Sequence, residues 1–204
     1  MNDAEEIIQF IRFGEELKVL ERTGWALTGI AVRRLESVAE HSYGVVLTSM
    51  FISQYLLGRG YDINIEKILT MATLHDIQES ITGDIPRTKE NEQNLEFKEK
   101  KENAERKAIE EIFQDSSNSY QHFVIVWYEF LEGKTQEARI VRAADILDML
   151  LHARNLEISN NPQKLDQFFV SSRPIIESLG IDIVTEIFNI LYQEHLQSMK
   201  KKVE

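Results

Sequence analysis

Apolar residues recur along this chain at helical rather than strand spacing, and polar caps stand where most of the repeats begin. Over about Ala4 to Glu21, the residues Ile7, Ile8, Ile11, Leu17 and Leu20 fall near one helical face, which predicts a helix buried on that side. A loop is expected from Arg22 to Glu36. Ser37-Val38-Ala39-Glu40 has the spacing of a capping box, and Val45, Val46, Met50 and Ile52 continue an apolar stripe until Gly58 and Gly60. Asn64 caps a third helix through Ile65, Ile68, Leu69, Ala72 and Leu74. It runs at least to His75 and Asp76 and breaks near Thr82-Gly83-Asp84-Ile85-Pro86.

The stretch from Lys89 to Arg106 is highly charged but mixed in sign, which predicts a solvated helix leading to Ile109 and Phe113. After the Ser116-Ser117-Asn118-Ser119 loop, a helix from Tyr120 to Glu132 stops at Gly133, and Thr135 caps a long one from Gln136 to about Glu157. Asn160-Asn161-Pro162 breaks the chain. Two short helices, about Gln163 to Val170 and Pro174 to Leu179, precede a last one from Asp182 to Lys201. With only 9 Gly and 3 Pro, the balance favours helix throughout. The expected fold is all-α, one compact helical domain spanning 1–204.

Charge and composition then remove function classes. Lys plus Arg number 23 against 34 Asp plus Glu, a formal charge of −11, so the surface field repels polyanions and no nucleic acid polymer is expected as partner. There is no Cys, which excludes disulfides, thiolate metal sites and thiol nucleophiles. The longest apolar stretch, around Phe123 to Tyr128, is far short of a membrane span, and the acidic N-terminus has no basic leader. A soluble cytoplasmic protein is the expectation.

Any metal must therefore be held by imidazole and carboxylate. His41 follows Glu40 on one expected helix, His75 directly precedes Asp76 near the end of another, and Asp145 lies on the inward face of a third. Taken singly, each has an ordinary reading as a hydrogen-bonded core histidine or an ion-paired aspartate. Taken together, two neutral imidazoles and two carboxylates form a donor set suited to Mn, Fe, Co, Ni or Zn. His122 and His152 stand among aromatic and apolar neighbours and read as structural.

The order His41, His75-Asp76, Asp145 resembles the H…HD…D signature of the HD-domain metal-dependent phosphohydrolases. Arg22-Thr23-Gly24-Trp25, Glu36-Ser37-Val38-Ala39-Glu40-His41-Ser42 and the run from His75 to Pro86 are similar to successive motifs of the 5′-deoxynucleotidase branch. The resemblance covers roughly residues 10–157, leaving C-terminal helices at about 163–201 outside it. Two departures lie beside the expected pocket: a loop before Glu36 about two residues longer than the branch has, and Thr28 where an arginine is common.

The resemblance implies a hydrolase that removes phosphate from nucleotides, foremost 2′-deoxynucleoside 5′-monophosphates. A di- or triphosphate substrate, a modified nucleotide, or a non-enzymatic nucleotide-binding protein are the alternatives. It implies one divalent metal held by His41, His75, Asp76 and Asp145. Glu79, at i+4 from His75 and i+3 from Asp76, is assigned to activating water if the helix persists, and Asp84 to protonating or orienting the leaving ribose oxygen. Arg22 and Arg34 are implied phosphate-binding cations, and Trp25 an indole that stacks on a base or packs against the sugar. A homodimer is also implied, with Ile187, Phe188, Ile190 and Leu191 of the last helix offering an apolar interface.

Overall fold

Helix starts in this protein are fixed by side chains that accept the otherwise unpaired first N–H groups. In the computed structural model, which describes residues 2–86, 91, 94–114 and 116–201, Asn2 and Glu5 form a reciprocal capping box at α1 (Asp3–Val19). The expected box of Ser37 and Glu40 opens α3 (Val38–Leu57), Asn64 opens α4 (Ile65–Leu74), Asn94 opens α6 (Leu95–Phe113) and Thr135 opens α8 (Gln136–Leu156). Between them lie α2 (Thr23–Leu27), α5 (Glu79–Thr82) and α7 (Gln121–Glu132), while α9 (Asp166–Leu179) and α10 (Asp182–Lys201) complete the order. Single 3₁₀ turns occur at Asn118–Tyr120 and Pro162–Lys164. The described residues contain no strand, only an isolated antiparallel bridge between Glu21 and Ser37, so the all-α expectation is met. The first residues of the solvated helix expected from Lys89 lie partly outside the described residues; the remainder falls in α6.

The bundle is built around α8, which is packed by α3, α4, α7, α9 and α10. Its sequence explains that position. Ala138, Ile140, Val141, Ala143, Ala144, Ile146, Leu147, Leu150 and Ala153 are all buried, so apolar side chains point to nearly every side. α3 lies against it through Val45, Ile52 and Leu56, with the small Ser49 and Ser53 buried between them. A second, smaller core joins Ile109, Ile112 and Phe113 of α6 to Trp127 of α7, with Phe10 and Phe13 of α1 packed against it.

Several local expectations are corrected. On α1 the isoleucine face points outward, with Ile7, Ile8 and Ile11 at 46%, 50% and 59% exposed. The inward face is instead set by Phe10, Phe13 and Leu17, because large aromatic rings bury more area than the isoleucines would. Met50 of α3 is likewise exposed. The 22–36 connector carries the short α2, drawn inward by Trp25. Pro174 does not divide the C-terminal region: α9 runs through it. Phe169 and Ile176, seven residues apart on one face and both fully buried, outweigh the single backbone hydrogen bond that proline forfeits. On α10, Phe188 and Leu191 belong to the core and Ile187 packs against it, while Ile190 stays 60% exposed, so only part of the expected apolar interface faces outward.

Candidate metal centre and active site

Three helices converge on one point. α3 delivers His41 in its first turn, held in place by the Ser37–Glu40 capping box. There Ser37 N–H donates to Glu40 Oε2 at 2.8 Å and Glu40 N–H to Ser37 Oγ at 3.2 Å. The end of α4 delivers His75 and Asp76, and α8 delivers Asp145. His41 Nε2 lies 3.1 Å from Asp145 Oδ1 and 3.9 Å from Asp76 Oδ2, and His75 Nε2 lies 3.1 Å from Asp76 Oδ2. One donor atom each from His41, His75 and Asp145 fits within 4.8 Å. Ligand bonds of about 2.0–2.2 Å put donors roughly 3–4 Å apart, so the spacing suits a single ion.

The protonation pattern fits a cation as well. His75 Nδ1 donates to the Ala72 carbonyl at 2.8 Å, which turns Nε2 into a lone pair. That Nε2 is buried without a hydrogen-bond partner and faces the Asp76 carboxylate. A buried imidazole lone pair facing a carboxylate is tolerated only with a proton or a metal between them. Burial and Arg22 act to lower the pKa of His41, but hydrogen bonds to Asp145 and Asp148 outweigh them and raise it to about 9. Burial opposes ionisation of Asp76, yet the two imidazoles hold its carboxyl well below the ordinary range.

Around the donors stand the other groups named from the sequence. Burial, reinforced by the charges of Asp76 and Asp84, pushes Glu79 up to about 10 against the pull of Arg22 and Lys101. The helix carrying His75 does not persist to Glu79 as an α-helix. Ile77, Glu79 and Ser80 donate to Leu74, Asp76 and Ile77, tightening the backbone into i→i+3 turns before α5. Asp84 is fastened to the start of α2, where its Oδ2 accepts from Thr23 Oγ1 at 2.8 Å and from Thr23 N–H. Arg22 places Nη1 3.9 Å from Asp76 Oδ2. Burial alone would lower its pKa, but Asp76, Asp145, Glu36 and Asp84 more than compensate, so it stays a fixed cation.

Trp25 and Arg34 are placed otherwise. Trp25 is 1% exposed, packed against Phe168 and His152 with its indole N–H on Glu36 Oε2 at 3.0 Å, so no ring face is open to a base in this structure. Arg34 lies at the surface with its guanidinium in a bidentate pair with Glu40.

Three further residues stand against the site. Glu36 is a hub, reached by Trp25, by Arg22 Nε at 3.9 Å and by His152 Nδ1 at 3.7 Å. Its sequence signal was its place at the head of the Glu36-to-Ser42 motif, two residues before α3. Asp148 Oδ2 accepts from His41 Nδ1 at 2.7 Å. Arg142 lies 3.6 Å from Asp145 Oδ2 and over the Phe130 ring. The spacing of residues 142, 145 and 148, one helical turn apart, was the available clue.

A sequence model of the HD domain matches residues 14–179. The 5'-deoxynucleotidase HDDC2 of Dictyostelium discoideum is 32% identical over 192 residues, covering 88% of this chain and 97% of its own. The 5'-deoxynucleotidase HDDC2 of Homo sapiens is 30% identical over 171 residues, covering 83% and 78%. Among solved structures, the PH0347 protein of Pyrococcus horikoshii superposes with a TM-score of 0.73 at 32% identity, over 92% of this chain and 99% of that one. Matched along most of its length by the domain and by these relatives, the chain belongs to the HD domain family and is an HD-domain phosphohydrolase.

Proposed function

We propose that this phosphohydrolase removes the phosphate from 2′-deoxynucleoside 5′-monophosphates, using one first-row divalent ion held by His41, His75, Asp76 and Asp145. The observation that carries the reading is the unpartnered His75 Nε2 facing Asp76 beside His41 and Asp145, with the Arg22 cation at its edge. Two imidazoles and two carboxylates suit Mn, Co, Fe, Ni or Zn. A single ion is proposed because the other candidate grouping, Glu36, His41 and Asp148, draws on a His41 nitrogen already bound to Asp148.

A phosphomonoester carries about two negative charges at neutral pH, which repel an incoming hydroxide. An ion at this centre supplies a Lewis acid for a phosphoryl oxygen and lowers the pKa of water. The chain's own residues do the rest. Arg22, anchored between Glu36 and Asp76, binds phosphate oxygen as a fixed cation. With a cation at the centre offsetting the burial and the neighbouring carboxylates that raise its pKa, Glu79 would ionise, accept a proton from the attacking water and pass it to the leaving oxygen. Asp84, fastened through Thr23, orients the leaving 5′ oxygen. Trp25 acts from behind by carrying Glu36, and hence Arg22.

The names of the relatives support the monophosphate substrate. A phosphate-release screen over ribo- and deoxynucleoside mono-, di- and triphosphates, each with Mn, Co, Zn and Mg, tests it. Deoxynucleoside monophosphates are expected to lead. Preference for triphosphates would overturn the substrate, and full turnover in chelated protein would overturn the metal.

A homodimer in the cytoplasm belongs to the same proposal. With Phe188 and Leu191 of α10 buried, the broader apolar surface is on α3, where Tyr43, Leu47, Met50 and Phe51 form an exposed stripe. No charged residue occurs between His41 and Arg59, in a chain of net charge −11. Two copies of so acidic a protein meet most readily across a surface free of charge. No helix among the described residues is long and apolar enough to cross a membrane.

A further inference from the structure

Gly44 lies three residues beyond His41 on α3, on the same side of the helix and facing α8. Its backbone does not ask for glycine, since it is not among the positive-φ positions, and glycine inside a helix carries a stability cost relative to alanine. Space is the reason. A Cβ at residue 44 would stand 1.9 Å from Asp148 Oδ1 and 2.6 Å from Asp148 Cγ. The Asp148 carboxylate thus occupies the volume that any side chain at 44 would take, and from there its Oδ2 reaches His41 Nδ1 at 2.7 Å.

We infer that Asp148, seated in the gap left by Gly44, is a positioning residue that fixes the ring of His41 so that Nε2 faces the metal centre. The inference rests on the metal-centre reading above. A histidine with Nδ1–H committed to a carboxylate can offer only Nε2 to an ion, and it does so as a more basic ligand with its ring orientation locked. Gly44 and Asp148 therefore act as one unit on two helices. The sequence pattern is a glycine three after the first histidine and an aspartate three after the last ligand.

The test is Mn²⁺ titration by calorimetry of the wild type, Asp148→Ala, Asp148→Asn, Gly44→Ala and the double variant Gly44→Ala/Asp148→Ala. It is paired with ¹⁵N NMR of the His41 ring in Zn²⁺-loaded protein and with thermal melts. Asp148→Ala is expected to weaken ion affinity by about 10- to 100-fold, as supporting groups of metal ligands do. Its His41 Nδ1 proton should lose the protected, hydrogen-bonded signal that the wild type shows. Gly44→Ala should weaken affinity comparably while its helix melts no lower, because the added methyl expels the carboxylate. The double variant should be no worse than Asp148→Ala, since both changes remove the same contact. Asp148→Asn retains an acceptor and should fall between, which keeps the test decisive if the alanine variant does not fold. Wild-type affinity and an unchanged Nδ1 signal in Asp148→Ala would overturn this inference alone. A wild-type protein that takes up no ion would overturn the metal centre and the inference together.

Discussion

Replacing Trp25 separates packing from substrate recognition. Its indole is 1% exposed, with ring centroids 4.7 Å from Phe168 and 5.1 Å from His152, and it donates to Glu36. Trp25→Ala removes a fully buried aromatic, a change that costs about 3–5 kcal/mol. It also strips a donor from a buried carboxylate, worth roughly 1–3 kcal/mol more. For a chain of this size each kcal/mol moves the midpoint by about 2–4 °C, so packing alone lowers Tm by roughly 6–20 °C. Trp25→Phe keeps most of the ring area and loses mainly the hydrogen bond, about 1–3 kcal/mol or roughly 2–12 °C. Circular dichroism melts of the ion-free variants give the first number, and KM for a deoxynucleoside monophosphate, measured well below each midpoint, gives the second. The expected result is a graded loss of stability, Ala below Phe below wild type, with substrate binding altered only through Glu36 and Arg22. A Trp25→Ala variant that melts with the wild type yet binds substrate far more weakly would refute the packing account and return the indole to the substrate.

His75→Ala is expected to abolish divalent-ion binding while His152→Ala, whose ring lies against Trp25, leaves ion content near normal; equal content in the two variants would remove His75 from the ligand set. Glu79→Gln should retain ion and substrate binding but lose turnover, measured as kcat at saturating deoxynucleotide. The same variant reports on linkage. Folded, ion-free Glu79 holds its proton up to about pH 10, whereas the unfolded chain loses it at the ordinary glutamate value of 4.5. The native state therefore binds more protons between those values, and this group erodes stability as pH rises through them. Ion-free Glu79→Gln should melt above the wild type at about pH 8 and converge with it near pH 4.5; the opposite order would mean that Glu79 is ionised in the fold. Phe51→Lys places a charge on the exposed α3 stripe, where Phe51 is 66% exposed, and should convert a dimer to a monomer in sedimentation velocity while the far-UV circular dichroism stays helical; an unchanged dimer would put the interface elsewhere.

Helix starts were legible in the sequence because a cap is a local event: Ser37 with Glu40, Asn64 and Thr135 each act within three residues of themselves. The residues proposed to hold the ion stood out for a different reason. His41, His75, Asp76 and Asp145 are polar groups on otherwise apolar helix faces, and a face that must be buried brings its polar residues along. What stayed hidden depends on partners far away in the chain. Which face of α1 turns inward is decided by Phe113 and Tyr120 receiving Phe10, not by the isoleucines of α1 itself. The continuity of α9 through Pro174 is decided by the burial of Phe169 and Ile176. Trp25 and Glu36 meet eleven residues apart inside a connector with no periodicity to read. Arg34 and Arg22 look alike in the sequence, and only the fold shows one fastened to Glu40 at the surface and the other beside Asp76.

Asp145 and Asp148 stand midway along α8, the helix that the rest of the bundle encloses. Amides there should exchange with solvent only when the whole domain opens, so the slowest-exchanging segment of the protein and the chemical centre are the same piece of chain. An ion held there could not leave by fraying of α8. The same arrangement divides what can vary from what cannot. Drift in α8 disturbs core and ligands at once, whereas the connector, tied down by Thr23 to Asp84 and by Trp25 to Glu36, can change its remaining residues at little cost to the bundle. Divergence in substrate choice is thereby steered toward that connector, while the helix beneath it holds the reaction constant.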